Sequence, residues 1–249
     1  MILIVNTAEE ALQLVLAEIG QNPAVLDSFE QPCAGRMNEV MAPAVAAMLK
    51  SGGELTAVAC VRGPGSFTGV RLGLAFATGL CLGRGLPMAG IDYFPALAAG
   101  VHAPDAGEIH VLTHSRNNKV YHQAFAQASR PEGLPVLPDP LGPPLDLEVP
   151  LAREIIRERA ACSQVVLIGS GLRRNPGAFS QIPGVTPLSI ENPTPEALLA
   201  AAAAASFDGP PVEALYLRGS DAEENLAAIA SGRGLTEEEA LLRMAKAMR

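Results

Sequence analysis

Tryptophan is absent and aromatic residues make up only 4% of the 249 positions, so aliphatic side chains must fill the interior. Basic residues are scarce as well: 18 Lys and Arg against 26 Asp and Glu leave a formal charge of −8. That balance is poorly suited to holding a phosphate backbone unaided, because such binding runs on cationic side chains displacing counterions. Any nucleic acid is therefore expected to be met through a partner. Long apolar runs are missing too. The longest uncharged apolar run, Leu72 to Gly83, falls well short of the roughly 20 residues a membrane span needs. Cys33, Cys60, Cys81 and Cys162 form no CxxC motif, and a chain of this size needs no disulfide staples, so they are expected in a reducing cytoplasm as small buried hydrophobes. The opening MILIVNTAEE has no basic start and carries a carboxylate pair where a signal peptide would still be apolar, so it reads as a strand.

What is present alternates strand and helix signals. Apolar runs at 1–5 and 11–17 flank a polar turn at 6–10, which predicts a hairpin. A third strand is expected at 24–29. Val40, Met41, Ala44, Val45, Met48 and Leu49 recur at helical spacing, predicting a helix over 37–50 that Gly52 and Gly53 end. A buried strand at 55–61, a turn at 63–69, a helix at 70–84 that is apolar nearly all round, a strand at 87–91 and a helix at 95–101 follow. The first hundred residues thus read β-β-β-α-β-α-β-α. Strands at 109–113 and 119–126 across a polar turn at 115–118 predict a second hairpin. The stretch 130–150 holds seven prolines and no periodicity, which predicts an irregular connection. A helix at 151–161 and a buried strand at 165–168 come next. Thr194, Pro195 and Glu196 supply the cap, first-turn proline and first-turn carboxylate of an alanine-rich helix. Residues 1–102 and 103–220 therefore read as two related lobes, each opened by a hairpin. Residues 221–249 read as a charged tail ending in a helix that Thr236 opens, with Glu239 at capping-box spacing.

One run stands out. RGPGSFTGVRLGLAFATGLCLGR, from Arg62 to Arg84, follows a strand and opens a helix, with Gly63, Gly65 and Gly69 in the turn and Ser66 and Thr68 as candidate caps. Amides at a helix start attract anions, so Gly63, Gly65, Ser66, Thr68 and Gly69 are candidate nucleotide or anion contacts. The spacing matches no P-loop, and Thr68 replaces the third glycine of GxGxxG, so a tight strand-to-helix turn accounts for the same residues. Beyond the turn, Gly69 and Gly73 are four apart, as are Gly79 and Gly83, with Ala75 and Ala77 between them. Small residues at that spacing let a second helix come close. Each glycine costs a helix roughly 1 kcal/mol relative to alanine, which points to a contact that offsets the cost.

The Arg62–Arg84 run resembles the signature of the TsaB family, also called YeaZ. ILIVNTAEEALQLVLAE is similar to that family's opening hairpin, Met37 to Pro43 falls where its first helix begins, HSRNNKVYHQAF resembles its second-lobe hairpin, and LYLRGSDA, from Leu215 to Ala222, is similar to its closing segment. The resemblance spans residues 1–222 and is strongest at 62–84. It implies a duplicated actin-like α/β fold, of the ASKHA or ribonuclease-H-like kind, with two lobes and mixed sheets. It also implies a non-catalytic role in the cytoplasm, activating a TsaD-type catalytic paralogue that transfers threonylcarbamoyl to adenosine 37 of transfer RNA, with a TsaE-type ATPase completing the complex. In that family the first two helices form the dimer surface. Carried onto this chain, Met37, Val40, Met41, Ala44, Val45 and Met48 become expected partner contacts, with Val70, Gly73, Leu74, Ala77, Leu80 and Cys81 on the second helix. The same helices are expected to form a homodimer in isolation, with transfer RNA met only through the complex.

The competing reading is an enzyme in its own right, an actin-like phosphotransferase or a glycoprotease-like metallopeptidase. The first needs a carboxylate and a glycine in the first hairpin turn to hold metal-bound phosphate, and here that turn is Asn6, Thr7, Ala8. The TsaB family usually carries Asp where Asn6 stands. Gly169–Ser170–Gly171 admits a nucleotide contact, although helix capping by Ser170 or a plain turn is the simpler account. The metallopeptidase reading needs two metal-binding histidines four apart on a helix. His110 and His114 have the spacing, but IHVLTH reads as a strand, which would hold their rings about 13 Å apart. All four histidines, His102 and His122 included, are expected to be ordinary surface or half-buried residues. His114 stands where the family often has Asp, and Asn118 and Lys119 where it often has Gly and Glu. Ser66 does not lie in a GxSxG elbow. No catalytic residue, metal or cofactor is expected.

Overall fold

The computed structural model describes residues 1–33, 35–51, 53–103, 106–127, 133–217 and 236. Strands β1 (Ile2–Asn6), β2 (Ala11–Glu18) and β3 (Ala24–Pro32) form an antiparallel meander. Helix α1 (Met37–Ser51), strand β4 (Ala57–Gly63), helix α2 (Phe67–Arg84), strand β5 (Met88–Asp92) and helix α3 (Tyr93–Ala99) follow. The first sheet runs β3-β2-β1-β4-β5, with β1 antiparallel to β2 and parallel to β4. Its element order is the one read from the sequence.

The chain then repeats the plan. Strands β6 (Glu108–Arg116), β7 (Lys119–Ala126) and β8 (Leu145–Glu148) make a second meander, and β9 (Val165–Ile168) and β10 (Val185–Pro187) add a parallel pair beside β6. The order β8-β7-β6-β9-β10 matches the first sheet strand for strand. Helices α4 (Val149–Ala160), α5 (Ser170–Arg174) and α6 (Pro195–Ala203) complete this half. The fold is thus α/β with two mixed sheets, duplicated in the actin-like manner. Both sheets belong to one compact unit, Met1–Leu215.

Every residue of β1 is buried, because helices cover both faces of its sheet. On one face, Leu3, Val5, Leu14, Val58 and Cys60 pack with Met41 and Val45 of α1 and Ala77 of α2. On the other lie α3 and α6, and α3 also touches β6 and β7 of the second sheet. That shared position explains why Tyr93, Phe94, Ala96 and Leu97 are all fully buried. Each of the two aromatic side chains contributes about 1.5–3 kcal/mol by leaving water. Helix α4 covers the second sheet through Val149, Ala152 and Ile156 against Leu112, Val120 and Leu167.

Several local features differ from the sequence expectation. Helix α2 starts at Phe67 because the Ser66 hydroxyl accepts from the Gly69 amide at 3.2 Å, so the cap lies inside the expected turn. It ends at Gly85, whose φ of +66° closes the helix through an N–H bond to the Cys81 carbonyl. Strand β8 lies within the proline-rich 130–150 stretch expected to be irregular. It is a short edge strand whose prolines, Pro143 and Pro144, precede it rather than interrupt it. Helix α5 and strand β10, at five and three residues, are too short to show a period. Thr194 caps α6 as its sequence predicts, accepting from Ala197 N at 3.2 Å. The predicted tail helix lies outside the described residues apart from Thr236.

Candidate functional site

The glycine run opening α2 wraps around the turn between β1 and β2. A β-carbon on Gly65 would overlap the Ala8 carbonyl, one on Gly69 the Thr7 carbonyl, and one on Gly73 the Thr7 hydroxyl. The Ser66 amide donates to Ala8 O at 2.7 Å, and Leu215 N donates to Arg62 O at 2.7 Å. At Gly63, which holds φ at +117°, a β-carbon would come within 2.8 Å of Leu215 O. Carbonyl oxygens, which repel an anion, thus stand against Gly63, Gly65, Gly69 and the Ser66 amide of the expected anion cradle, while Thr68 is exposed. The glycines admit the chain's own turn.

Asn6 sets that turn. Its Oδ1 accepts from Ala8 N at 3.0 Å, and its Nδ2 donates to Gln13 Oε1 at 2.7 Å. Gln13 is oriented in turn, its Nε2 donating to Glu30 Oε2 at 3.0 Å and to the Pro193 carbonyl at 2.9 Å. Both side chains are buried, so the network needs an amide at position 6: a carboxylate would face the Gln13 oxygen with no proton to offer.

The outer faces of α1 and α2 carry different residues from those expected at a partner surface. Met37, Met41, Val45 and Met48 are buried in the chain's own core, as are Val70, Gly73, Ala77 and Cys81. Val40, Ala44, Leu74 and Leu80 are only partly covered. A helix that is apolar nearly all round must turn one stripe inward, and its period alone does not say which. Outward instead point Ala42, Pro43, Ala46 and Ala47 of α1, with Ala75, Thr78, Gly79, Leu82 and Gly83 of α2. Leu82 is 80% exposed. A β-carbon on Gly79 or Gly83 would meet nothing within 4 Å, whereas Gly69 and Gly73 are taken up by Thr7.

A polar junction ties the β1–β2 turn to the second sheet. Ser170 does not cap α5: the cap is Gly169, and Ser170 Oγ instead accepts from the His114 amide at 3.0 Å. Gly169, at φ +106°, is pressed against the Leu112 carbonyl, which leaves no room for a side chain. Arg173 reaches Glu191 at 2.8 Å and Glu10 at 3.1 Å, and Arg174 pairs with Glu10. The Tyr93 hydroxyl donates to the Glu191 carbonyl at 2.7 Å. Burial lifts the Glu9 carboxyl to about 7, lowered by the nearby Ser170 side chain, raised further by Glu191 and lowered by Arg173 and Arg174.

Two histidines are buried rather than at or near the surface, correcting the sequence expectation. His110 has no exposed surface and His122 only 4%. His122 Nε2 lies 3.0 Å from His110 Nδ1, and His110 Nε2 lies 3.0 Å from Glu108 Oε2, which Arg159 also holds. Neutral rings fix the direction: His122 donates to His110, which donates to Glu108. Burial, aided by His110, lowers His122 to about 3, and burial lowers His110 too. The pairing follows from the β6–β7 register, which sets Leu112 opposite His122 and Ala124 opposite His110, making the two rings diagonal neighbours on one face. Cys33, Cys60 and Cys81 are buried as expected, but Cys162 is exposed. Among the described residues, no three His, Cys, Asp or Glu side chains are grouped to hold a metal, and no helix is long and apolar enough to cross a membrane.

Comparison with known proteins adds the family context. The family model described as TsaD, tRNA N6-adenosine threonylcarbamoyltransferase, matches residues 33–130. The tRNA threonylcarbamoyladenosine biosynthesis protein TsaB of Escherichia coli is 36% identical over 103 residues, covering 40% of this chain and 43% of that protein. Over that stretch the chain is similar to a TsaB protein. TsaB of Haemophilus influenzae is 31% identical over 134 residues, 52% of this chain and 54% of its own. The matches thus span about half the length of these curated TsaB relatives. Among solved structures, YeaZ from Pseudomonas aeruginosa aligns with a TM-score of 0.61 at 20% identity, covering 96% of each chain. A second structure, described as an uncharacterized protein with similarity to peptidase YeaZ from Pseudomonas aeruginosa, aligns at TM-score 0.67 and 22% identity over 87% of this chain and 99% of its own. At such identities these two structures show a shared fold.

Glu9 and the His110–His122 contact escaped the sequence reading, and Ser170 was read as a cap or turn residue rather than as the acceptor of the His114 amide. Glu9 lies in no motif. The histidine pair had a legible trace, the diagonal spacing across a predicted hairpin.

Proposed function

We propose that this chain is a non-catalytic subunit in the synthesis of threonylcarbamoyladenosine at position 37 of transfer RNA, and that it docks and activates a TsaD-type transferase through the outer faces of α1 and α2. The observation that carries this reading is Leu82, 80% exposed on α2 between the open glycines Gly79 and Gly83. An uncovered leucine on a smooth, small-residue ridge is suited to close contact with another helix. The similarity to TsaB proteins named for threonylcarbamoyladenosine biosynthesis supports the same reading. A TsaE-type ATPase completes the proposed assembly, and a homodimer through the same faces is its state without the partner. The net charge of −8 fits contact with transfer RNA through the complex.

A stand-alone phosphotransferase finds less support. Both polar ends of Asn6 are committed to Ala8 and Gln13, and carbonyl oxygens fill the glycine turn. The test is reconstitution of threonylcarbamoyladenosine formation from a TsaD-type protein, a TsaE-type ATPase and transfer RNA. Formation should depend on adding this chain. Equal formation without it would overturn the proposal.

A further inference from the structure

Strand β4 hands the chain to α2 through a bulge. Val61 pairs with Ile91 and Gly63 with Asp92 of β5, so the ladder skips Arg62. A backbone carbonyl left out of a ladder needs a donor from elsewhere. Leu215 supplies it, its amide donating to Arg62 O at 2.7 Å.

Two glycines make room for the segment 212–215 at that junction. A β-carbon on Gly90 of β5 would stand 2.7 Å from Val212 Cγ1 and 3.0 Å from Arg62 Cδ, and one on Gly63 would stand 2.8 Å from Leu215 O. The space a side chain would take at each position is filled by the closing segment. The Arg62 side chain is fixed as well, its Nε donating to Asp92 Oδ1 at 2.7 Å, and Asp92, at the N-cap of α3, makes no capping bond.

Residues 212–215 thus hold the end of β4, and a few residues on the β1–β2 turn holds the start of α2, where Ala8 O accepts from the amide of the capping residue Ser66 at 2.7 Å. The junction is secured by segments from both ends of the unit Met1–Leu215.

We propose, resting on the docking of α2 against a partner, that residues 212–215 are a positioning strap: by completing the bulge at Arg62 they hold α2 in the direction at which its outer face meets that partner. They govern partner affinity without touching the partner. Leu82 lies about 22 Å from the helix start at 1.5 Å per residue, so a small change of direction at Ser66 becomes a large displacement at the docking ridge. A helix that samples several directions binds with an affinity reduced by the fraction of chains in the competent one.

Leu215→Pro in the full chain removes the amide that reaches Arg62, whereas Leu215→Ala keeps it. Gly90→Ala, on a different element, crowds Val212 out of its seat. Hydrogen exchange reads the strap with no partner present: Leu215→Pro and Gly90→Ala should each lose about tenfold protection at residues 64–70, with Leu215→Ala close to wild type. Wild-type protection in either of the first two would overturn the strap. Affinity for a TsaD-type protein, measured by calorimetry where circular dichroism shows each variant folded, should fall about tenfold in the same two variants and be kept in Leu215→Ala. Loss of protection without loss of affinity would also overturn it. Leu82→Asp, run beside them, tells the two readings apart. If Leu82→Asp weakens binding and the strap variants do not, the strap alone fails; if none of them weakens binding, the docking face is refuted together with the strap. Should Leu215→Pro not fold, Gly90→Ala carries both measurements.

Discussion

Gly73 lies so close to Thr7 that a β-carbon on the glycine would overlap the threonine hydroxyl. Helix α2 thus meets the β1–β2 turn through a contact only glycine permits. Gly79, six residues further along the same helix, faces open space. The glycines of one run therefore divide between internal packing and an outer surface.

The division predicts opposite effects of one substitution. Gly73→Ala should destabilise the fold by about 1–3 kcal/mol through overpacking against Thr7, despite the better helix propensity of alanine. Gly79→Ala should be neutral or stabilise by up to about 1 kcal/mol. Denaturant unfolding of the two variants beside wild type measures both. Equal midpoints for the pair would refute the assignment of Gly73 to the interior.

Asn6→Asp, which restores the residue usual in the family, should cost stability here. The carboxylate would face Gln13 Oε1, and Gln13 cannot turn around without giving up its bonds to Glu30 and Pro193. The expected loss at pH 7 is about 1–3 kcal/mol, shrinking at low pH as the new acid gains a proton to donate. Replacing Gln13 as well should remove the penalty, which a double-mutant cycle detects.

The histidine pair sets an acid limit. His122 and His110 are held neutral in the fold, so an unfolded chain binds more protons below the ordinary histidine value of 6.5. Stability contributed by these groups is complete above pH 6.5 and is lost as pH falls toward about 3. His122→Gln keeps a donor to His110 and removes one titrating ring. The slope of unfolding free energy against pH between 4 and 6 should then fall by about one proton. An unchanged slope would show that the acid sensitivity lies elsewhere.

Leu82→Asp should leave folding within about 0.5 kcal/mol of wild type, since the side chain is on the surface. Association with a TsaD-type partner should weaken at least about tenfold, as expected for loss of a central apolar contact. In isolation, light scattering should show the variant shifted toward monomer. Full retention of both assemblies would move the docking surface away from α2.

Much of the fold was legible before the structure. The hairpin signals, the helical spacing of Val40 to Leu49 and the cap at Thr194 follow from local chemistry, and they mark elements long enough to show a period. Strand β8, helix α5 and strand β10 were not legible. They are three to five residues long, and their pairing partners, rather than their own pattern, make them strands or helix.

The sequence by itself determined the duplicated α/β plan and singled out Arg62–Arg84, because periodicity and glycine spacing are local properties of the chain. Which side of that run faces inward was decided only in three dimensions. A helix apolar on nearly every side can bury any stripe, and the choice fell to the sheet beneath it and to Thr7 beside Gly73. The enclosure of the Glu9 carboxyl oxygen and the meeting of His110 with His122 are likewise tertiary. Their chemistry, an oxygen without water and a ring held neutral, exists only once distant segments exclude solvent together.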